Sequence, residues 1–120
     1  MSRRETAISF LKLAASGKVA EAYERYVSPK FFHHNPYFPS DRESLKRGME
    51  ESSASHPNKM FNIERTLEDG DLVAVHSHLQ QKSMDMAVVH ILRFEGDQIV
   101  EMWDIGQPVP KDSPNERGMF

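Results

Sequence analysis

Two side chains able to pass a proton, His90 and Asp104, fall in runs that read as successive strands: Ala87-Val88-Val89-His90-Ile91-Leu92 and Met102-Trp103-Asp104-Ile105. Burying a lone carboxylate is costly unless it is paired or its pKa rises, and a raised pKa suits proton transfer. Asp104 therefore reads either as an acid/base or as a cap at the sheet end that accepts backbone hydrogen bonds. His90 is either its partner or a satisfied core histidine. In His33-His34-Asn35-Pro36 the adjacent side chains diverge, so at most one imidazole reaches a pocket mouth; the alternative is that both hydrogen-bond loop backbone. His76 and His78 have the i, i+2 spacing that two strand ligands to a metal need, with His34 or Asp104 as a third. That spacing alone does not specify a metal, and none is assigned. Trp103, Tyr37, Phe32 and Phe38 can line an apolar pocket or simply fill the core.

Positioning these groups requires a sheet. From Phe61 to Ile105 the apolar period is two, which predicts a four-strand antiparallel meander. Asp69-Gly70 is the first hairpin signal, and with Glu68 opposite Asp71 it places His76 across from Ile63 and His78 across from Phe61. The third strand, Met86 to Phe94, is apolar apart from His90 and Arg93 and is expected to be central. The fourth runs from Gln98 to Ile105. Parity groups Arg93 with Glu101 on one face and His90, Met102 and Asp104 on the other. A strict two-residue turn at Gly96-Asp97 would pair His90 with Trp103 and break that grouping, whereas a three-residue turn or a bulge restores it.

Ahead of the meander lie helical periods. Ala7, Ile8, Leu11, Ala14 and Ala15 mark a first helix that Gly17 stops, and Val19, Ala22, Tyr23, Tyr26 and Val27 mark a second that Ser28-Pro29 ends. Phe31 to Pro39 is expected to be an ordered, partly buried loop. Ser40 with Glu43 predicts a capping box for a third helix, and His56-Pro57 ends it. Helices followed by a meander predict an α+β domain with the helices on one sheet face and a pocket between the layers. The proline-containing segment from Gly106 onward reads as a tail whose terminal Met119-Phe120 docks.

The chain of 120 residues is the size of one domain, taken as residues 1–120. A net charge of −3 with scattered basic residues argues against nucleic acid. No run approaches the ~18 apolar residues of a membrane span and the start does not read as a signal peptide, so a cytoplasmic location is expected. With no cysteine, disulfides and thiolate chemistry are excluded.

His34-Asn35-Pro36, the Asp69 to His76 hairpin, Ala87 to Phe94, Ile99 to Asp104 and the closing Gly118-Met119-Phe120 together resemble the SnoaL-like polyketide cyclase family of the nuclear transport factor 2-like superfamily. The resemblance implies an α+β cone: N-terminal helices on a curved antiparallel sheet, a deep pocket, and a homodimer through the outer sheet face. It implies ring closure by intramolecular aldol condensation, or related proton transfer beside a carbonyl, without metal or organic cofactor. Asp104 matches the family's acid/base, His90 its partner on the preceding strand, and His34 the His-Asn-Pro loop. His76, His78, Trp103, Tyr37, Phe32 and Met102 are the expected substrate contacts. The alternative function is non-catalytic binding of a small apolar ligand in the same pocket.

Overall fold

The computed structural model describes residues 1–120 as three helices followed, after one early strand, by a meander. Helix α1 (Arg3–Ala15) starts at a Ser2/Glu5 capping box, in which Glu5 N donates to Ser2 Oγ (3.1 Å) and Ser2 N donates to Glu5 Oε1 (3.0 Å). Gly17, at φ +93°, then reverses the chain into α2 (Val19–Tyr26). Helix α3 (Arg42–Ser55) is capped one residue later than expected: Asp41, not Ser40, accepts from Ser44 N (2.9 Å) and from Ser44 Oγ (2.7 Å).

The five strands are β1 (Val27–His34), β2 (Met60–Asp69), β3 (Leu72–Gln80), β4 (Asp85–Glu95) and β5 (Gln98–Pro108), in the spatial order β1-β5-β4-β3-β2. The expected antiparallel meander is β2 to β5, with β4 central. β1 is a correction, because the segment expected to be a loop from Phe31 pairs in parallel with β5 as an edge strand. Its alternation is real, with Phe31 and His33 buried and Phe32 and His34 pointing away. Four consecutive aromatic or imidazole rings hide that period when residues are sorted only as apolar or polar. Pro29 is tolerated there because an edge strand can spare one backbone donor.

The β2–β3 and β4–β5 hairpins both turn on Gly-Asp. Gly70 (φ +60°) and Gly96 (φ +61°) occupy the first loop position, the left-handed conformation that a type II′ turn demands there. The first turn is therefore Gly70-Asp71, with Asp69 opposite Leu72, one step from the expected register. That register puts His76 opposite Arg65, and the extra residue Glu64 then shifts the ladder again, so His78 faces Asn62. In the second hairpin Phe94 pairs with Ile99 but Arg93 pairs with Glu101. Val100 is thus a bulge, and beyond it His90 sits directly opposite Asp104.

One sheet face packs on the helices around Phe10, Tyr23, Leu45, Leu92, Phe94 and Ile99, all with 1% or less of their surface exposed. Edge-to-face contacts from Phe10 to Tyr23 (5.6 Å) and from Tyr23 to Phe31 (6.1 Å) tie both helices of the hairpin to β1. Gly106 to Pro108 continue β5 instead of starting the tail. The tail does dock: the Phe120 ring stacks on His78 (4.1 Å) and His76 (5.6 Å) on the opposite sheet face. No helix is long and apolar enough to cross a membrane.

Candidate functional site

The bulge at Val100 determines the site. Strand residues alternate between faces, so one inserted residue decides whether Asp104 points toward the helices or away from them. With the insertion, Asp104 and His90 form a cross-strand pair on the helix-covered face and border a cavity of about 260 Å³ between the sheet, α1 and α3. Its walls are largely apolar, including Leu11, Leu45, Met49, Phe61, Leu79 and Val88.

His90 Nε2 lies 3.1 Å from Asp104 Oδ1, and Asn35 Nδ2 donates to Asp104 Oδ2 at 2.8 Å. A carboxylate only accepts, so His90 Nε2 carries the hydrogen in this pair, and Nδ1 is buried without a partner. The amide of Asn35 has one possible orientation, because its Oδ1 accepts from Tyr37 N at 3.0 Å and its nitrogen must face Asp104. The backbone of Asn35 is pinned as well. Its N–H donates to His33 Nδ1 (3.0 Å), and His33 Nε2, at 2.7 Å from Pro39 O, donates to that carbonyl. His33 is thus a neutral imidazole clamping both ends of the 35–39 loop.

Burial works to raise the Asp104 carboxyl, but the hydrogen bonds from His90 and Asn35 outweigh it and hold the group below the usual carboxylate range. Asp104 is therefore an ionised carboxylate, and its side chain keeps 24% exposure toward the cavity. Burial pushes the neighbouring Tyr23 phenol well up; its hydroxyl donates to Met49 Sδ (3.1 Å) and stays protonated.

Seven expected site residues lie elsewhere. His34 projects from β1 to the outer sheet face, where its Nε2 meets Glu101 Oε2 (2.7 Å) and its ring stacks on Trp103 (4.9 Å, 7° between planes). Trp103 is displaced for the same reason that Asp104 is well placed: neighbours on a strand face opposite ways. Phe32 shares that outer face and packs edge-on against His34 (5.9 Å). His76 and His78 are on one face together, as expected, but it is the outer face. There Arg65 Nη1 contacts His76 Nδ1, Asp85 accepts from His78, and Phe120 covers both rings. Tyr37 is 86% exposed because the turn after Asn35 carries it into solvent. Met102 faces inward but is sealed in the core at 1% exposure. No three His, Asp or Glu side chains converge as a metal site would require.

Of the rings considered for the lining, Phe38 borders the cavity. It packs over Gly48 of α3 so closely that a Cβ at that position would lie 2.3 Å from Phe38 Cε1. Reading the sequence missed Asn35 as a contact of Asp104. The signal was there: an Asn before Pro in a loop is an Asx-turn former whose amide is held in one direction. Gln81 and Asn58 were also missed, because nothing in their local pattern marks them.

The profile of the SnoaL-like polyketide cyclase family matches residues 5–110, and the chain belongs to that family. Its fold is nuclear transport factor 2-like. An NTF2-like protein of unknown function from Burkholderia xenovorans superposes with a TM-score of 0.76 at 17% identity, covering 96% of this chain and 89% of that one. A second, from Cytophaga hutchinsonii, gives 0.73 at 15% identity, with 89% and 91% covered. IdmH from Streptomyces antibioticus, a proposed polyketide cyclase, gives 0.72 at 18% identity, with 89% and 93% covered. No curated protein matches the chain.

Proposed function

We propose that the cavity carries out cofactor-independent acid–base chemistry beside a carbonyl, as an aldol cyclase or isomerase, with Asp104 as the proton acceptor. The observation that carries this reading is an ionised carboxylate, hydrogen-bonded to His90 at 3.1 Å and still exposed to an apolar cavity. Asp104 takes the hydrogen from the carbon next to a carbonyl, becoming a carboxylic acid and leaving an enolate. The enolate carbon then attacks a second carbonyl of the same molecule, and the proton returns to the resulting alkoxide, so no co-reactant is consumed. His90 Nε2–H and one Asn35 amide hydrogen are committed to Asp104, and the second Asn35 amide hydrogen remains for the enolate oxygen. A carboxylate held low is a weaker base, which favours carbon acids activated by two carbonyl groups.

That same low carboxyl favours a second reading, in which Asp104 only orients a bound ligand. Incubating the protein with short 1,3-, 1,5- and 1,6-diketones separates the two. Protein-dependent ring closure, or deuterium uptake at the α carbon in D₂O, is expected from the cyclase/isomerase reading, and saturable binding without either supports the binder. We further propose that the outer sheet face pairs with a second copy of the chain. Ile105 (55% exposed) stands there two residues from Trp103 on β5, and Leu67 (64%) three strands across on β2.

A further inference from the structure

The cavity has a second polar end, far from Asp104. His90 pairs with Val75 on β3, and Gln81 lies just past the end of that strand. Gln81 is six steps along the chain from Val75, about 20 Å of path before sheet curvature is counted. Between the two ends the sheet contributes Val88, Leu79 and Phe61. At the far end, Asn58 Nδ2 donates to Ala15 O (2.9 Å), which forces Asn58 Oδ1 the other way, where it accepts from Gln81 Nε2 (3.0 Å). This relay from the α1 carbonyl fixes the Gln81 amide in turn. Gln81 Oε1 and its second N–H have no protein partner, while the side chain lines the cavity.

The charges lining the cavity are as informative as its shape. No lysine or arginine borders it, and Asp104 is its fixed charge. A ligand carboxylate or phosphate would give up its hydration to a largely apolar space with no cation to receive it. We infer that the cavity takes an uncharged, elongated ligand with a hydrogen-bonding group at each end, the far one, a hydroxyl or carbonyl, received by the Gln81 amide. Identifying the near group as the carbonyl acted on by Asp104 rests on the function proposed above; the requirement for neutrality and the far anchor do not.

The test measures binding of decan-2-one, 10-hydroxydecan-2-one and 9-oxodecanoate by NMR titration at about pH 8, above the ordinary imidazole range. The hydroxy ketone is expected to bind about three- to tenfold tighter than the plain ketone, the worth of one hydrogen bond. It is expected to bind at least about tenfold tighter than the keto acid. Gln81→Leu, with Gln81→Met as a second variant, should reduce the hydroxy ketone to the affinity of the plain ketone and leave the plain ketone unchanged. A keto acid that binds as tightly as the hydroxy ketone, a hydroxyl preference that survives in both variants, or no binding of any of the three overturns the inference. If the selectivity holds while the diketones show no turnover, the acid–base reading falls and the ligand class stands. Turnover without the selectivity overturns the ligand class and leaves the acid–base reading standing.

Discussion

Asp104 shows how a carboxylate in an apolar strand run can be ionised. Burial alone would push the group toward neutrality, and it is two hydrogen bonds, from His90 and Asn35, that reverse the sign. Asn35→Ala removes one of them. The Asp104 carboxyl should then titrate higher, seen in the ¹³C carboxyl shift with pH; an unmoved titration would show that Asn35 does not hold it. Because the folded group sits below its unfolded value, its contribution to stability is present above the ordinary carboxylate range and is lost as the pH falls through the folded value. Urea melts between about pH 5 and pH 2 should therefore show the wild type losing more stability than Asp104→Asn; parallel loss in the two proteins would contradict the assignment. At this scale the sequence was informative where a residue was out of character with its neighbours. Asp104 and His90 stood out in apolar runs, whereas the Asn-Pro pattern marks the turn that fixes the Asn35 amide but not its partner, 69 positions away in sequence.

Strand register is what turns those residues into a site. The alternation of β3 to β5 was legible, and so was the dependence on a bulge, but the choice between bulge and strict hairpin was not, because both satisfy the Gly96-Asp97 turn. Packing decides it. With Val100 as the extra residue, Leu92, Phe94, Ile99 and Met102 are all buried in the core cluster on the helix side. Deleting Val100 keeps the turn and removes the extra residue, which leaves Arg93 opposite Glu101 and His90 opposite Asp104 in a regular ladder. We expect that deletion to keep the hydrogen bond to His90 and to cost less than about 2 kcal/mol in urea denaturation, below the range for burying an unpaired charge or breaking a core network. A deletion variant in which Asp104 no longer meets His90 would show that Val100 is not the extra residue of the ladder. β1 was the element least legible from sequence, since its four successive rings conceal the alternation that the parallel pairing with β5 reveals.

For the whole molecule, the division of labour between the two sheet faces organises the rest. One face, covered by the helices, holds the cavity; the other holds most of the residues that looked functional. His34, Trp103, Glu101 and Arg93 form a connected outer cluster, with Glu101 bonded to both His34 (2.7 Å) and Arg93 (2.7 Å). Phe120 covers β3 beside them. His34 and Trp103 were expected at the pocket, and Arg93 with Glu101 on one shared face, but a strand's two faces cannot be told apart until one is known to be covered. If this face pairs with a second copy, sedimentation at micromolar concentration should give twice 13.8 kDa. Leu67→Glu with Ile105→Glu should return the chain to a monomer by placing like charges in the interface. A single 13.8 kDa species for the wild type would rule this out.

The central claim is that Asp104 accepts a proton inside the cavity. Its most direct test compares wild type and Asp104→Asn for turnover and for affinity on the short diketone that the wild type converts fastest. The amide keeps the size of the side chain and a group for His90 to meet, so affinity should change little while the rate falls by ~10² to 10⁴, the usual contribution of a positioned proton-transfer group. An Asn variant that turns over at the wild-type rate would contradict the claim.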